Sequence, residues 1–239
     1  MNMPEAPLAG RIALVTGASR GIGAATARSL AAAGAHVVLT GRTAGDLEAV
    51  EDAIHDAGGS ATIAPIDLTQ GDSIARLAAA IAERWERLDL LVINAAVLPP
   101  LMPVTQIEAK TFNEALTLNV LAPQVLLAAF DPLLRRSDSG RVVGITSSVG
   151  AEPRAYWGAY GASKAAFDTL LGAYAQEVER ITKIRVAILD PGATRTQMRA
   201  QAFPGEDPQT VKPPEAVAER IVALLAQDFA TGHRERVEG

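Results

Sequence analysis

The strongest constraint on the fold is an alternation of short β-branched runs with longer segments rich in Ala and Leu. The first pair is a run at 11–16 and a helical segment that begins near Gly21 and ends at Gly34. The predicted strands lie at 11–16, 36–40, 61–65, 90–93, 141–146 and 184–189. Because parallel strands need crossover helices, the repetition predicts an α/β fold with a doubly wound parallel sheet covered on both faces.

The helical spacing predicts crossover helices between these strands. They lie at 44–57, 72–87, 108–134, 160–179 and 215–226. Residues 191–214 are rich in Pro, Gly, Gln and Thr, which predicts a mobile segment that covers a ligand. Residues 232–237 are polar but can add a short seventh strand. A chain of 239 residues can bury one sizeable core, so we expect a single domain over 1–239.

The composition excludes several classes of function. The chain has no cysteine, which excludes disulfides, thiolate metal sites and thiol nucleophiles. The net charge of −5 comes from both signs spread along the chain, so a nucleic-acid partner is disfavoured. Residues 1–10 carry no basic residue before an apolar run, and no uninterrupted stretch of about 20 apolar residues is present. We expect neither export by this route nor a membrane partner, and a cytoplasmic location.

A glycine-rich turn follows the first strand and leads directly into a helix. Its sequence is Thr16-Gly17-Ala18-Ser19-Arg20-Gly21-Ile22-Gly23. Glycines let the backbone approach a pyrophosphate, which free N–H groups and the helix dipole then stabilise. The spacing differs from the classical dinucleotide fingerprint G-x-G-x-x-G, because Thr26 stands in place of the third glycine. The Gly-Lys-Ser/Thr of a nucleotide-triphosphate loop does not follow either. The alternative is a connector that binds nothing.

A second motif places a phenol and an ammonium group on one face of a helix, because Tyr160 and Lys164 are four residues apart. A nearby positive charge favours the phenolate, so we expect Lys164 to lower the pKa of Tyr160. A Tyr and a Lys at this spacing, with no other motif beside them, usually just lie on the surface of a helix. Here Ser147 follows a predicted strand, and Asn119 lies within an apolar helix, where an amide needs partners. Ser148 competes with Ser147, since a slip of one residue exchanges them.

The turn and the ordered set Asn119, Ser147, Tyr160 and Lys164 resemble the classical short-chain dehydrogenase/reductase family, and bacterial 3-oxoacyl-carrier-protein reductases in particular. The resemblance runs from about 11 to 196. It implies a single-domain Rossmann fold with a sheet of six or seven strands. It also implies hydride transfer between NADP(H) or NAD(H) and a carbonyl or secondary alcohol, with Tyr160 as general acid and base.

The resemblance assigns roles to the remaining members of the set. Ser147 would polarise the substrate oxygen, Lys164 would also bond the ribose hydroxyls, and Asn119 would hold a water against the lysine. The family spacing from serine to tyrosine, and the glycine three residues after the serine, favour Ser147 over Ser148. The alternative to a catalytic role is that Ser147 and Ser148 only end a strand, and that Asn119 is a core amide whose hydrogen bonds are satisfied.

The end of the second strand indicates which coenzyme is preferred. The family's acidic residue would fall at Gly41, which leaves Arg42 and Arg20 to hold a 2′-phosphate. NADP(H) is therefore favoured over NAD(H), the alternative being that both arginines are solvated surface charges. The pattern departs from the family at Ile93 and Ala96, where Asn and Gly are usual.

The resemblance implies further cofactor contacts and no metal. Besides Arg20, Arg42, Tyr160 and Lys164, the implied contacts are Gly17, Ser19, Gly21, Ile22, Gly23, Asp67, Leu68, Asn94, Ala95, Pro191, Gly192, Thr194 and Thr196. The substrate is expected to be a small carbonyl or alcohol compound. The side chains expected to contact it are Leu98, Leu101, Met102, Trp157, Met198 and Phe203, which can instead be lid or subunit contacts.

Two expectations concern the protein as a whole. Members of this family are commonly homodimers or homotetramers, so the resemblance implies an oligomer. A second function class stays open, because a fold alone never proves chemistry: a catalytically silent nucleotide-sensing or scaffold protein on the same fold.

Overall fold

A computed structural model describes residues 6–238, in which seven strands form one parallel sheet. The strands are β1 (Ile12–Thr16), β2 (His36–Gly41), β3 (Ser60–Pro65), β4 (Leu90–Ile93), β5 (Arg141–Ile145), β6 (Arg185–Asp190) and β7 (His233–Arg236). Their order is β3-β2-β1-β4-β5-β6-β7. The predicted doubly wound sheet is confirmed, and the polar run at 232–237 does supply the seventh strand. The expectation of no export signal falls partly on residues 1–5, which lie outside the described residues.

Helices cover both faces of this sheet. They are α1 (Gly21–Ala32), α2 (Ala44–Asp56), α3 (Ser73–Trp85), α4 (Ala109–Leu116), α5 (Ala122–Arg136), α6 (Gly158–Glu179), α7 (Gln197–Ala202) and α8 (Pro214–Leu225). Successive strand side chains point to opposite faces, so Val15 packs with α1, α2 and α8 while Leu14 packs with α3, α5 and α6.

The close approach of α6 to the sheet positions the predicted catalytic motif. A Cβ atom at Gly144 of β5 would lie 2.1 Å from Leu171 Cδ1 and 2.8 Å from the Phe167 ring. Only a glycine therefore allows α6 to pack this tightly against β5. The first turn of α6, which carries Tyr160, is held at the carboxyl end of the strand.

The helix predicted over 108–134 is interrupted. A π-helical turn over Thr117–Leu121 separates α4 from α5 and contains Asn119. Pro123 has no N–H to donate to the backbone carbonyl of Asn119, four residues earlier. The side chain of Asn119 also forms hydrogen bonds with the backbone of Val97, which lies outside the helix. The interruption therefore has a local cause and a tertiary one.

The helical stretch 109–136 is long and apolar enough to cross a membrane by length and composition, because an 18-residue window within it has a mean hydropathy of 1.4. Leu126, Phe130 and Leu134 of this stretch are buried in the core against α3 and α6. A core helix packed in this way meets the same length and composition criteria.

The segment 191–214 has more regular structure than its composition predicts. It contains α7, a 3₁₀ turn over Pro208–Thr210 and a parallel bridge between Thr194 and Lys212. Thr196 caps α7 by accepting a hydrogen bond from the Arg199 backbone N–H at 3.1 Å. Side-chain caps and long-range pairing of this kind order a stretch that has no hydrophobic periodicity.

Candidate active site

A cleft of about 1040 Å³ opens at the carboxyl edge of the sheet, in the loops that follow β1 to β6. This is where the chain reverses direction across the sheet between β1 and β4, the usual ligand position in such folds. The sequence-predicted residues that line it are Gly17, Ser19, Arg20, Gly21, Ile22, Arg42, Asp67, Leu68, Asn94, Ala95, Tyr160, Lys164, Pro191 and Thr196. The predicted residues Gly23, Asn119, Ser147, Gly192 and Thr194 do not line it.

The glycine-rich turn is folded tightly onto the start of α1. Gly17 and Gly21 have φ values of +66° and +55°, which favour glycine, and a Cβ at Gly23 would lie 2.1 Å from the Gly17 carbonyl oxygen. Asn94 Nδ2 donates to the carbonyls of Thr16 at 2.9 Å and Gly17 at 3.2 Å. The loop after β4 therefore fixes the shape of the turn, and the first two residues of α1, Gly21 and Ile22, line the cleft.

Two exposed arginines line the cleft, Arg20 directly before α1 and Arg42 directly after β2. Gly41, where an acidic residue would stand, is half-buried against Leu47. Asp67 accepts hydrogen bonds from the Thr69 hydroxyl at 2.7 Å and the Thr69 N–H at 2.9 Å. These bonds, with the charge of Arg42, lower the pKa of Asp67, so this carboxylate is ionised at neutral pH.

Tyr160 and Lys164 face the cleft together from the first turns of α6. Their exposed fractions are only 7% and 4%. Lys164 Nζ lies 5.8 Å from the centre of the Tyr160 ring and donates to the Ile145 carbonyl oxygen at 2.8 Å. A phenol and an ammonium thus meet on one wall, at the end of β5.

The expected lowering of the Tyr160 pKa is not met in this structure. Burial raises the pKa of Tyr160, and the negative charge of Asp190 raises it further. Burial lowers the pKa of Lys164 to about 8. The phenol is therefore protonated at neutral pH, because desolvation outweighs a lysine whose ammonium bonds a backbone carbonyl.

Asn119 is fully engaged by the backbone and by one further side chain. Its Oδ1 accepts from Val97 N at 2.8 Å, and its Nδ2 donates to Val97 O at 2.9 Å and to Ser163 Oγ at 3.0 Å. Ser163 is itself buried and donates to the Tyr160 carbonyl oxygen at 2.7 Å. Sequence reasoning did not single out Ser163, although it stands inside the motif directly before Lys164.

The structure leaves the choice between Ser147 and Ser148 to the spacing argument. Ser147 has extended backbone and directly precedes a 3₁₀ turn over Ser148–Gly150. Both serines are half-buried, while the neighbouring Ile145 and Thr146 line the cleft. A Cβ at Gly150 would lie 3.0 Å from the Lys164 carbonyl carbon, so this glycine lets the serine loop pack against α6.

The stretch after β6 divides into residues that face the cleft and residues that shape the loop. Thr196 lines the cleft, and its methyl group lies 3.3 Å from where a Cβ of Gly21 would be. Thr194 is buried and donates to the Pro191 carbonyl at 3.0 Å. Its hydroxyl therefore stabilises the loop, and the predicted contact of Thr194 with the cofactor stays a prediction.

Other lining residues come from the loops after the strands and from faces of helices that sequence patterns do not orient. They are Ile66, Thr69, Ala96, Val97, Leu98, Lys110, Asn113, Glu114, Thr117, Leu118, Ile145, Thr146, Gln197, Met198 and Gln201. Leu98 and Met198 belong to the apolar set predicted for the substrate. Within residues 6–238, no group of three or more His, Asp or Glu side chains could hold a metal ion.

Comparison with known proteins identifies relatives along almost the whole chain. The model of the short chain dehydrogenase family matches residues 11–207. The Escherichia coli oxidoreductase YciK is 38% identical over 221 residues, which cover 91% of this chain and 87% of that protein.

Two solved structures have nearly the same fold over the whole chain. A short chain dehydrogenase from Pseudomonas syringae has a TM-score of 0.95 and 40% identity, and the match covers 99% of this chain and 98% of that one. A short chain dehydrogenase from Shigella flexneri, crystallised with NADP, has a TM-score of 0.94 and 36% identity, with 99% and 100% covered.

Proposed function

This chain belongs to the short-chain dehydrogenase family, and on that premise we propose that it is an NADP(H)-dependent oxidoreductase that interconverts a carbonyl compound and its secondary alcohol. The observation that carries the proposal is the position of Tyr160 and Lys164. They share one wall of the cleft that begins at the glycine-rich turn. Tyr160 is the proton donor and acceptor.

The cleft fits a dinucleotide phosphate. The turn brings backbone N–H groups to the N-terminus of α1, where the helix dipole stabilises an anion, and a Cβ at Gly23 would fill the space that keeps the turn tight. At the far end, Arg20 and Arg42 offer charge-assisted bonds to a 2′-phosphate, and Gly41 presents no opposing carboxylate. The crystallisation of the Shigella flexneri relative with NADP supports this choice.

The bound coenzyme supplies or accepts the hydride, and the protein positions the substrate oxygen and moves its proton. The raised pKa of Tyr160 keeps the phenol protonated, which suits proton donation to a carbonyl oxygen during reduction. Lys164 Nζ donates one hydrogen bond to the Ile145 carbonyl oxygen, which leaves two N–H groups to bond ribose hydroxyls or a chain of water molecules. An ammonium brought closer to the phenol by such contacts would also stabilise the phenolate in alcohol oxidation.

The remaining residues of the set act around this pair. Ser147 donates to the substrate oxygen as charge develops on it. The Asn119 carbonyl, which Pro123 cannot pair, holds the water of the proton relay. The Asn119 side chain locks the π-helical turn through Val97. We assign Asn94 and Ala95 to the coenzyme side, because their loop contacts the phosphate turn.

The proposal extends to the protein's partners. The substrate is a small molecule, and the protein is a cytoplasmic homodimer or homotetramer. Leu121 and Val125, which are 57% and 40% exposed beside the π-helical turn, are apolar surface available to a second copy. A single domain accounts for residues 6–238, because one continuous sheet runs through them.

The substitution Tyr160→Phe tests the proposal. NADPH binding, measured by fluorescence titration, should be nearly unchanged, because the ring is retained, whereas NADPH oxidation with a broad panel of carbonyl compounds should be lost. Full activity in this variant would refute the role of Tyr160. If the wild-type protein binds NADPH but does not oxidise it with any carbonyl compound of the panel, the silent nucleotide-sensing alternative is favoured.

A further inference from the structure

Tyr160 belongs to an apolar cluster at the cleft. The cluster consists of the buried residues Leu98, Val149 and Tyr160, with Leu101, Trp157, Met198 and Ala202 packed against them. The only hydrogen bond of the Tyr160 hydroxyl among the described residues is a long one to Met198 Sδ, at 3.9 Å. A thioether therefore lies at the Tyr160 hydroxyl, and an indole and aliphatic groups pack around the Tyr160 side chain.

From this cluster we propose that the site takes a neutral carbonyl compound with a flat apolar group beside the carbonyl, such as an aryl ketone, and that Met198 determines this specificity. The inference rests on the proposed function. It concerns the class of substrate, which neither the family nor the named relatives settle. Carbonyl compounds that carry a carboxylate or several hydroxyls are the classes that it excludes.

The geometry of the aromatic side chains favours a flat group. Trp157 and Tyr160 pack in an edge arrangement, with ring centres 6.0 Å apart and planes at 61°, and the centres of the Trp157 and Phe203 rings are 5.8 Å apart. Aromatic pairs and sulfur–aromatic contacts both stabilise an arrangement beyond the burial of apolar area alone. An aryl group attached to a carbonyl at Tyr160 would contact Leu98 and the Met198 thioether, which line the cleft, and Trp157 packs against the same cluster.

The cluster contains no charged side chain, and the one charged residue of α7 is paired within the protein. Arg199 follows Met198 on α7, but its guanidinium makes two bonds to Glu206, of 2.7 and 2.5 Å, and stacks on Phe203 at 3.7 Å. Lys212 Nζ donates to the Val237 carbonyl at 2.8 Å. A carboxylate that packs against this cluster would therefore lose hydration without gaining a cation from the cluster, which is costly in apolar surroundings.

The same pairing holds α7 in place over the site. The Arg199–Glu206 pair closes the chain around Phe203, whose ring contacts Trp157. Met198 is therefore presented to Tyr160 by a short helix that is fastened at its C-terminal end. A substrate must displace the Met198 thioether from the hydroxyl, so the chemistry of residue 198 decides what can take its place.

Matched substrates test the inference in the wild-type enzyme with NADPH. Acetophenone, acetylbenzoate and erythrulose share a ketone and differ in charge and polarity. We expect kcat/KM for acetophenone to exceed that for either of the others by about tenfold or more, because the polar groups would be buried without partners. A ratio near one, or a preference for acetylbenzoate or erythrulose, would overturn the inference and leave the proposed function standing.

A charge introduced at residue 198 should change the preference. In Met198→Lys, the kcat/KM ratio of acetophenone to acetylbenzoate should fall by about tenfold, because the new ammonium can pair with the carboxylate. The control is Arg220→Gln, which removes a two-bond pair with Glu235 between α8 and β7, away from the cluster. An unchanged ratio in a folded Met198→Lys variant would contradict the role of Met198.

Binding without turnover separates the two proposals. The chain has two tryptophans, and Trp85 packs on His36 in another part of the molecule, so Trp85→Phe leaves Trp157 as the reporter. Acetophenone should quench Trp157 fluorescence with saturation, at concentrations about tenfold lower than acetylbenzoate requires. This preference without any NADPH oxidation would refute the proposed function alone. Equal quenching by both ketones would refute the apolar site.

Discussion

The substitution Gly23→Ala probes the phosphate-binding turn with a single methyl group. The new Cβ would lie 2.1 Å from the Gly17 carbonyl oxygen and 2.6 Å from Asn94 Nδ2, whereas ordinary contacts are 3.4–4 Å. The Gly17 oxygen belongs to the backbone and cannot rotate away as a flexible side chain can. The turn must therefore open by more than 1 Å, as the difference between these distances shows.

The expected cost follows from two terms. Overpacking of this kind costs about 1–3 kcal/mol. Opening the turn also breaks the hydrogen bond from Asn94 Nδ2 to Gly17, which contributes about 1 kcal/mol. The free energy of unfolding should fall by about 2–4 kcal/mol, out of a total that is usually about 5–15 kcal/mol. NADPH should bind at least about tenfold more weakly, because the N–H groups of the turn are displaced.

Urea unfolding and fluorescence titration with NADPH measure the two effects. The matched control is Gly45→Ala in α2, where a Cβ has nothing within 4 Å and ordinary helix propensity should stabilise the protein by about 0.5–1 kcal/mol. Opposite signs for the two glycines are the expected result. A Gly23→Ala protein as stable as wild type, with unchanged NADPH affinity, would refute the steric argument.

Three further predictions address individual side chains. Because burial lowers the pKa of Lys164 to about 8 from 10.5, the unfolded chain holds a proton that the folded protein lacks, so the free energy of unfolding should rise between pH 8 and 10. Urea unfolding should show a smaller rise in Lys164→Met, and equal slopes would contradict the buried ammonium. Arg42→Gln should reduce the preference for NADPH over NADH by about tenfold in titrations, since it removes a charge-assisted bond, and an unchanged ratio would assign Arg42 to the surface. Ser163→Ala should lower kcat by about tenfold with little change in the NADPH KM, because the link from Asn119 to the Tyr160 turn is lost; an unchanged kcat would make Ser163 purely structural.

Features that depend on short sequence patterns could be predicted. The alternation of strands and helices specifies the parallel sheet, because each strand must bury two faces and each crossover must be helical. The glycines of the first turn and the spacing of Tyr160 and Lys164 are local as well. Their backbone conformation depends on residues a few positions away, and the structure places them in one cleft.

Other features depend on residues that are far apart in the chain. The π-helical turn at Asn119 needs the backbone of Val97, and the order in 191–214 needs the bridge from Thr194 to Lys212. No periodicity within either segment contains this information, because the partners are 22 residues apart in the first case and 18 in the second.

The pKa values show the same division between sequence and tertiary structure. The spacing predicts a lysine next to a phenol, but burial raises the pKa of Tyr160, and the Ile145 carbonyl holds the Lys164 ammonium. The sequence by itself determined which groups can do the chemistry and in which fold. Only the tertiary structure decided how much water each group retains and that Met198 covers the phenol, because desolvation is a property of everything packed around an atom.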